Sequence, residues 1–274
     1  MRASGTSYLV NNGTICERRE VTPEKEHMKA AIISDIHGNV EALRAVLRDT
    51  AKEGCEKVYC LGDVVGYGPS PNECCALVRA MGIETILGNH DEMVATDAPL
   101  PELLLNPLAY KSLLWTRETL TAEHRRWLQN LPRSIELPAL RACLYHASPY
   151  RPEDWDYVVT SSQALDALRV QNQPLCFIGH THKPFVAGFN PRDGSLRNQA
   201  PGVVRIEPNL LYLINVGSVG QPRNHDPRGS YVLLDDTARE IRFQKVVYAV
   251  ETTQRRIRDE RLPDKLAERL AWGI

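Results

Sequence analysis

The sequence predicts an α/β fold with a parallel βαβ core. From Met28 onward, short apolar runs alternate with segments whose apolar residues recur at helical spacing. The chain has 274 residues, 43% of them hydrophobic, enough for one sizeable core. No internal repeat or low-complexity linker divides it, so residues 28–274 read as a single domain.

The elements follow in order. "KAAIIS" is a short apolar run and predicts a buried strand. "NVEALRAVLRDTAKEG" predicts a helix that stops at Gly54. "KVYCLGD" predicts a second strand, and "PNECCALVRAMG" a helix started by Pro71 and Asn72. "IETILGNHD" predicts a third strand ending in a loop. Residues 99–131 are helical in character, with Thr121 as an N-cap and Pro132 as a stop. Strand-like runs follow: "SIEL", "RACLYHA", "PLCFIGH", "FVAGF", "GVVRIE" and "LYLINVGS". "SYVLLDDTAREIRFQKVVY" predicts a hairpin about Asp235-Asp236, and a charged helix interrupted near Pro263 follows it.

Residues 1–27 differ from the rest. They show no sustained apolar period and no apolar run suited to a signal peptide. They read as a disordered tail, or as translation from an upstream start with Met28 the true beginning. The codons for Glu24-Lys25-Glu26 can spell a purine-rich ribosome-binding stretch, which suits the second reading.

A net charge of -1 gives no general attraction for nucleic acid or membrane, and no nucleic-acid patch stands out. No apolar run approaches the ~18 residues of a membrane span. The seven cysteines include no CxxC pair, and Cys60, Cys143 and Cys176 lie in strand-like runs. That usage predicts reduced, buried thiols and a cytoplasmic setting. Oligomerisation stays open.

The predicted strands end in polar residues. Asp35 and His37 follow the first, and Asp63 the second. Asn89, His90 and Asp91 follow the third. His146 follows "RACLY", and His180 and His182 follow "PLCFI". In an extended strand, residues i and i+2 share a face, so each D-x-H or H-x-H pair aims two ligands at one point. Open α/β sheets form their sites beyond the carboxyl ends of strands. One strand-end histidine is usually a hydrogen-bonded structural residue. Here five of eight histidines occupy such positions, beside three aspartates and an asparagine. Carboxylate, imidazole and amide without thiolate describe a site for a hard-to-borderline dication.

The order D-x-H, G-D, G-N-H-D, H, G-H-x-H, from Ile32 to Ser218, resembles the calcineurin-like metallophosphoesterases. Within them it looks closest to the compact bacterial and archaeal phosphodiesterases. The resemblance implies a four-layer α/β/β/α sandwich of two mixed sheets flanked by helices. It implies two divalent metal ions, drawn from Mn, Fe, Zn, Ni or Co with Mn favoured. Carried over, Asp35, His37 and His182 would hold one ion, Asn89, His146 and His180 the other, and Asp63 would bridge them. A hydroxide between the ions would attack phosphorus, His90 would act as general acid, and Asp91 would hold the His90 tautomer.

The substrate implied is a small phosphate ester, with nucleotides among the candidates and diesters favoured. Relatives that cleave monoesters, phosphoproteins or dinucleoside tetraphosphates usually read G-D-x-x-D-R-G. Here the stretch is "GDVVGYG", with Gly66 and Tyr67 at the Asp and Arg positions. "NVGSVGQPRNHDPRGSY" resembles a late block that would bring Gly217 and Ser218 toward the metals and let Arg223 reach phosphate. Tyr67, Tyr150 and Trp155 read as packing residues or as base-stacking ones. The alternatives are a phosphomonoesterase, a serine/threonine protein phosphatase, or a non-catalytic scaffold on the same fold. A scaffold would lack ligands or the proton donor, and this chain lacks neither.

Overall fold

The computed structural model describes residues 28–103 and 105–274, together with the backbone of residues 8–11 and 14–17. Those last two stretches, β1 (Tyr8–Asn11) and β2 (Thr14–Glu17), pair antiparallel. Otherwise the expectation for residues 1–27 falls outside the described residues.

From Met28 the order is β3 (Lys29–Ile33), α1 (Val40–Lys52), β4 (Lys57–Cys60), α2 (Pro71–Ala80), β5 (Glu84–Thr85), α3 (Asn89–Ala95), α4 (Pro107–Thr119) and α5 (Ala122–Gln129). Next come β6 (Ser134–Leu137), β7 (Ala142–Tyr145), α6 (Ser161–Val170), β8 (Leu175–Ile178), β9 (Phe185–Phe189) and β10 (Leu196–Gln199). Last come β11 (Val203–Arg205), β12 (Leu211–Asn215), β13 (Gly229–Asp235), β14 (Glu240–Val246), α7 (Val250–Asp259) and α8 (Asp264–Trp272).

Two six-stranded mixed sheets result, ordered β11-β14-β13-β3-β4-β5 and β10-β9-β12-β8-β7-β6. The parallel reading holds for β3-β4-β5 in the first sheet and β12-β8-β7 in the second, and the remaining pairings are antiparallel. This is the four-layer arrangement the motif order implies.

Strand alternation builds the layers. Ala30 and Ile32 of β3 face inward with Leu144, Phe177, Ile214 and Val232, forming the core between the sheets. Ala31 and Ile33 face outward under Val40, Leu43 and Val46 of α1. On the second sheet, Cys176 and Ile178 face Ala164, Ala167 and Leu168 of α6. Asn39 caps α1 by accepting from Ala42 N at 3.1 Å.

The third predicted strand is shorter than its apolar pattern suggests. Only Glu84–Thr85 pairs with β4, because the Leu87 N–H turns to the Pro132 carbonyl at 2.7 Å. Helix α3 then starts at Asn89, so the G-N-H-D block opens a helix and does not lie in a loop. Helix α6 and strand β10 carry no counterpart in the sequence reading. The carboxyl ends of the parallel strands in both sheets point the same way, and every predicted ligand follows one of them.

Candidate metal centre

The loops after β3, β4 and β8 share an unusual backbone. Asp35 (φ 54°), His37 (φ 49°), Asp63 (φ 52°), Tyr67 (φ 58°), His180 (φ 62°) and His182 (φ 60°) all sit in the left-handed region. Such a residue costs about 1–3 kcal/mol, so the cluster makes these loops a candidate functional site. The i, i+2 geometry expected of a strand is therefore not what aims these pairs. They lie beyond the strands, in turns that a lattice of backbone bonds holds. Asp35 N donates to Gly62 O (3.1 Å), His37 N to Asp63 O (2.9 Å) and Gly179 N to His146 O (2.8 Å). Gly179 has no room for a side chain, since a Cβ would lie 2.0 Å from Ser34 Oγ and 2.5 Å from Asp35 Oδ2.

Backbone carbonyls orient the imidazoles. His37 Nδ1 donates to Val65 O at 3.1 Å, His146 Nδ1 to Leu61 O at 2.7 Å, and His182 Nδ1 to Gln221 O at 2.5 Å. Carbonyls only accept, so Nδ1 carries a hydrogen on each ring and Nε2 faces inward. Nε2 of His37 and His182 stand 3.0 Å apart. Asn89 Oδ1 lies 3.1 Å from His146 Nε2. His180 Nε2 and Asp35 Oδ1 are buried without any hydrogen-bond partner.

The carboxylates lie among these nitrogens. Asp35 Oδ1 is 3.2 Å from His182 Nε2 and 3.6 Å from His37 Nε2. Asp63 Oδ2 is 3.6 Å from His37 Nε2 and 3.4 Å from His146 Nε2, between the two groups. The other oxygens are engaged: Asp63 Oδ1 accepts from His90 N at 2.8 Å, and Asp35 Oδ2 from His180 N at 3.0 Å. Three buried triads could each hold a cation: Asp35/His37/His182, Asp63/His146/His180 and His37/Asp63/His90.

Electrostatics point the same way. Burial would raise both carboxyls, but His182 holds Asp35 well below the usual range, and His146 and His90 do the same for Asp63. Burial pushes His180 down to about 4 and His182 down to about 3. Burial also opposes charge on His146, yet Asp63 outweighs it and lifts that ring to about 9. Burial thus disfavours a proton on His180 and His182, while the buried Asp63 anion favours one on His146. A divalent cation suits that donor set and would take the proton's place. The six ligands carried over by resemblance, and Asp63, are all brought together.

Asp91 is a correction. Its carboxylate accepts from Val65 N at 3.1 Å and Gly88 N at 3.2 Å, while His90 Nδ1 is buried without a partner. Consecutive residues on a helix point about 100° apart, so Asp91 turns back to cap α3 while His90 faces the centre. Gly66 leaves the room that ring needs, because a Cβ there would lie 2.5 Å from His90 Nδ1.

The aromatic residues divide differently from the sequence reading. Tyr67 is buried, 4.8 Å from His37 and 4.6 Å from His90 between centroids, and is not free to stack a base. Trp155 packs edge-on against His146 at 5.6 Å and donates to Glu92 Oε2 at 2.9 Å. Tyr150 lies under the Arg151 guanidinium, 5.3 Å from ring centroid to guanidinium carbon. Sequence reading missed Tyr157, which stacks flat on His180 at 4.1 Å and keeps 49% of its surface exposed. Arg223 lies over Tyr67, with its guanidinium carbon 5.6 Å from the ring centroid. Ser218 Oγ donates to Asp35 O at 2.8 Å, whereas Gly217 packs against Ser230 and Pro184.

Comparison with known proteins agrees with this geometry. The calcineurin-like phosphoesterase superfamily domain matches residues 28–239. An uncharacterized protein of Methanocaldococcus jannaschii is 38% identical over 245 residues, covering 89% of this chain and 97% of its own. A metallophosphoesterase from Sphaerobacter thermophilus, 36% identical, superposes with a TM-score of 0.78 over 91% of this chain and 100% of its own. A symmetrical bis(5'-nucleosyl)-tetraphosphatase of Haemophilus influenzae is 26% identical over 149 residues, about half (52%) of each chain.

Replacing Asp91 by Asn puts an amide donor against a backbone N–H. It should cost about 1–3 kcal/mol of stability, read by chemical unfolding, and leave metal content unchanged. Unaltered stability would contradict the capping role.

Proposed function

Because the chain belongs to the calcineurin-like phosphoesterase superfamily, we propose that it is a hydrolase of phosphate esters that works with two divalent ions and prefers diesters. The observation that carries this reading is the place of Asp63, with one oxygen 3.6 Å from His37 and 3.4 Å from His146. In the proposed assignment Asp35, His37 and His182 hold one ion, Asn89, His146 and His180 the other, and Asp63 both. Manganese is the proposed native metal. When bound, the ions supply positive charge to the phosphoryl oxygens and make a water nucleophilic near neutral pH.

The side chains do the rest. His90 stands beside the centre and gives its proton to the departing oxygen. Burial and His37 keep the free ring neutral, down to about 3, against the pull of Asp63. An incoming phosphate brings the negative charge that favours the protonated ring. Asp91 supports this step only by fixing the start of α3. Tyr157, flat on His180, offers an open face to an aromatic leaving group.

The diester preference follows from Tyr67. A tyrosine stands where an arginine would meet a dianion, and Arg223 reaches the same place from another loop. That guanidinium is partly committed to Gln221 Oε1 at 2.8 Å. Two ions with one shared arginine suit the single charge of a diester. A second reading, cleavage of a bis-nucleosyl tetraphosphate, draws on the name the Haemophilus influenzae relative carries. The described cysteines are free and five of them are buried, which supports a reducing, cytoplasmic setting.

Paired kcat/KM values for bis-nitrophenyl phosphate and nitrophenyl phosphate, in one metal, should favour the diester. A clear monoester preference would instead support a phosphomonoesterase or protein phosphatase, and no hydrolysis of any ester would support a scaffold. His90→Ala should slow alkyl esters by about 10²–10⁴ and nitrophenyl esters much less, since nitrophenolate leaves without a proton. Equal losses on both would remove His90 from the acid role.

A further inference from the structure

The matched family domain ends at residue 239, yet residues beyond it reach the site. Tyr67 belongs to one buried cluster with Ile257 of α7, Leu262, and Leu266, Ala267 and Leu270 of α8. Above that floor its ring meets His37 and His90. After α8 the chain bends at Gly273 (φ 62°), and the Gly273 carbonyl accepts from His225 N at 2.8 Å. A Cβ on Gly273 would lie 2.5 Å from the Asp226 carbonyl oxygen. Residues 225–226 and 273 are therefore in backbone contact, with no space between them.

Arg223 stands two residues before that contact. Its Nη2 donates to Gln221 Oε1 at 2.8 Å, and the Gln221 carbonyl accepts from His182 Nδ1 at 2.5 Å. Its Nε is buried and has no hydrogen-bond partner. A buried guanidinium nitrogen left unpaired beside a carboxylate–imidazole centre is a donor awaiting an oxyanion.

We infer that residues 250–274 form a positioning clasp: α7 and α8 seat Tyr67 from below, Gly273 holds the 223–226 loop from the side, and together they aim Arg223 at a phosphoryl oxygen. The inference rests on the phosphoester reading for the identity of that oxyanion. Arg223 is the contact, and Gly273 acts only through it. The clasp lets a cation from a second loop serve where "GDVVGYG" carries Tyr67. A 1 Å shift of that loop would weaken oxyanion binding while leaving the candidate ligands in place.

Inorganic phosphate binding to the full-length, Mn²⁺-loaded protein, measured by calorimetry, tests this. Gly273→Val and Arg223→Ala should each weaken phosphate by about tenfold, and the double variant should bind no more weakly than Arg223→Ala alone. Bound metal should be unchanged by elemental analysis. Phosphate affinity in Gly273→Val equal to the unmodified protein would overturn the clasp. So would an equal loss on the Arg223→Ala background, or no phosphate binding by the unmodified protein. Should Gly273→Val fail to fold, Gly273→Ala sets a single methyl against the same oxygen and gives the same comparison with a smaller shift. Diester turnover by the unmodified protein is read separately. Its absence beside coupled phosphate affinities would reject the hydrolase reading and keep the clasp.

Discussion

The centre is built around convergent ring nitrogens. Backbone carbonyls take the Nδ1 hydrogens of His37, His146 and His182, so each of these rings turns its Nε2 inward. Two of these nitrogens meet at 3.0 Å, and the Asp35 and Asp63 carboxylates stand among them. Buried carboxylates among inward-facing ring nitrogens call for a cation. The fold meets this demand by ending the parallel strands of two sheets at one place. It accepts left-handed backbone at Asp35, His37, Asp63, His180 and His182, and laces the loops together through their own amides and carbonyls. The strain sits where the chemistry is, and the apolar layers supply the stability that tolerates it.

The strands, and the polar residues that gather beyond their ends, were legible because both rest on local pattern. An apolar run ending in Asp or His reports a strand and its carboxyl end together. What the pattern hid was orientation. Asn89, His90 and Asp91 are consecutive letters, yet the helix they open sends His90 to the centre and Asp91 back to its own N-terminus. The D-x-H spacing suggested a strand face, whereas left-handed turns do the aiming. Tyr157 sits in no motif, so only the folded loop reveals its stack on His180. Helix α6 had a readable signal in its Thr160…Gln163 capping box.

The proposed ester preference and the proposed metal binding draw on different parts of the chain. The candidate ligands follow the parallel strands of both sheets. Tyr67 and Arg223 come from two loops that touch each other and the last helices of the chain. In the proposed reading, that separation lets the cation beside phosphate come from a second loop while the centre stays the same. It also explains why "GDVVGYG" alone understates the positive charge near the site: the guanidinium arrives some 150 residues later in sequence, yet its carbon lies 5.6 Å from the Tyr67 ring.

The central claim is that two cations share Asp63. Anomalous diffraction from Mn²⁺-loaded crystals tests it directly. Two peaks ~3.5–4 Å apart should flank the Asp63 carboxylate, one beside Asp35, His37 and His182 and the other beside Asn89, His146 and His180. A single peak, or two peaks of which either lies out of reach of Asp63, would contradict the account.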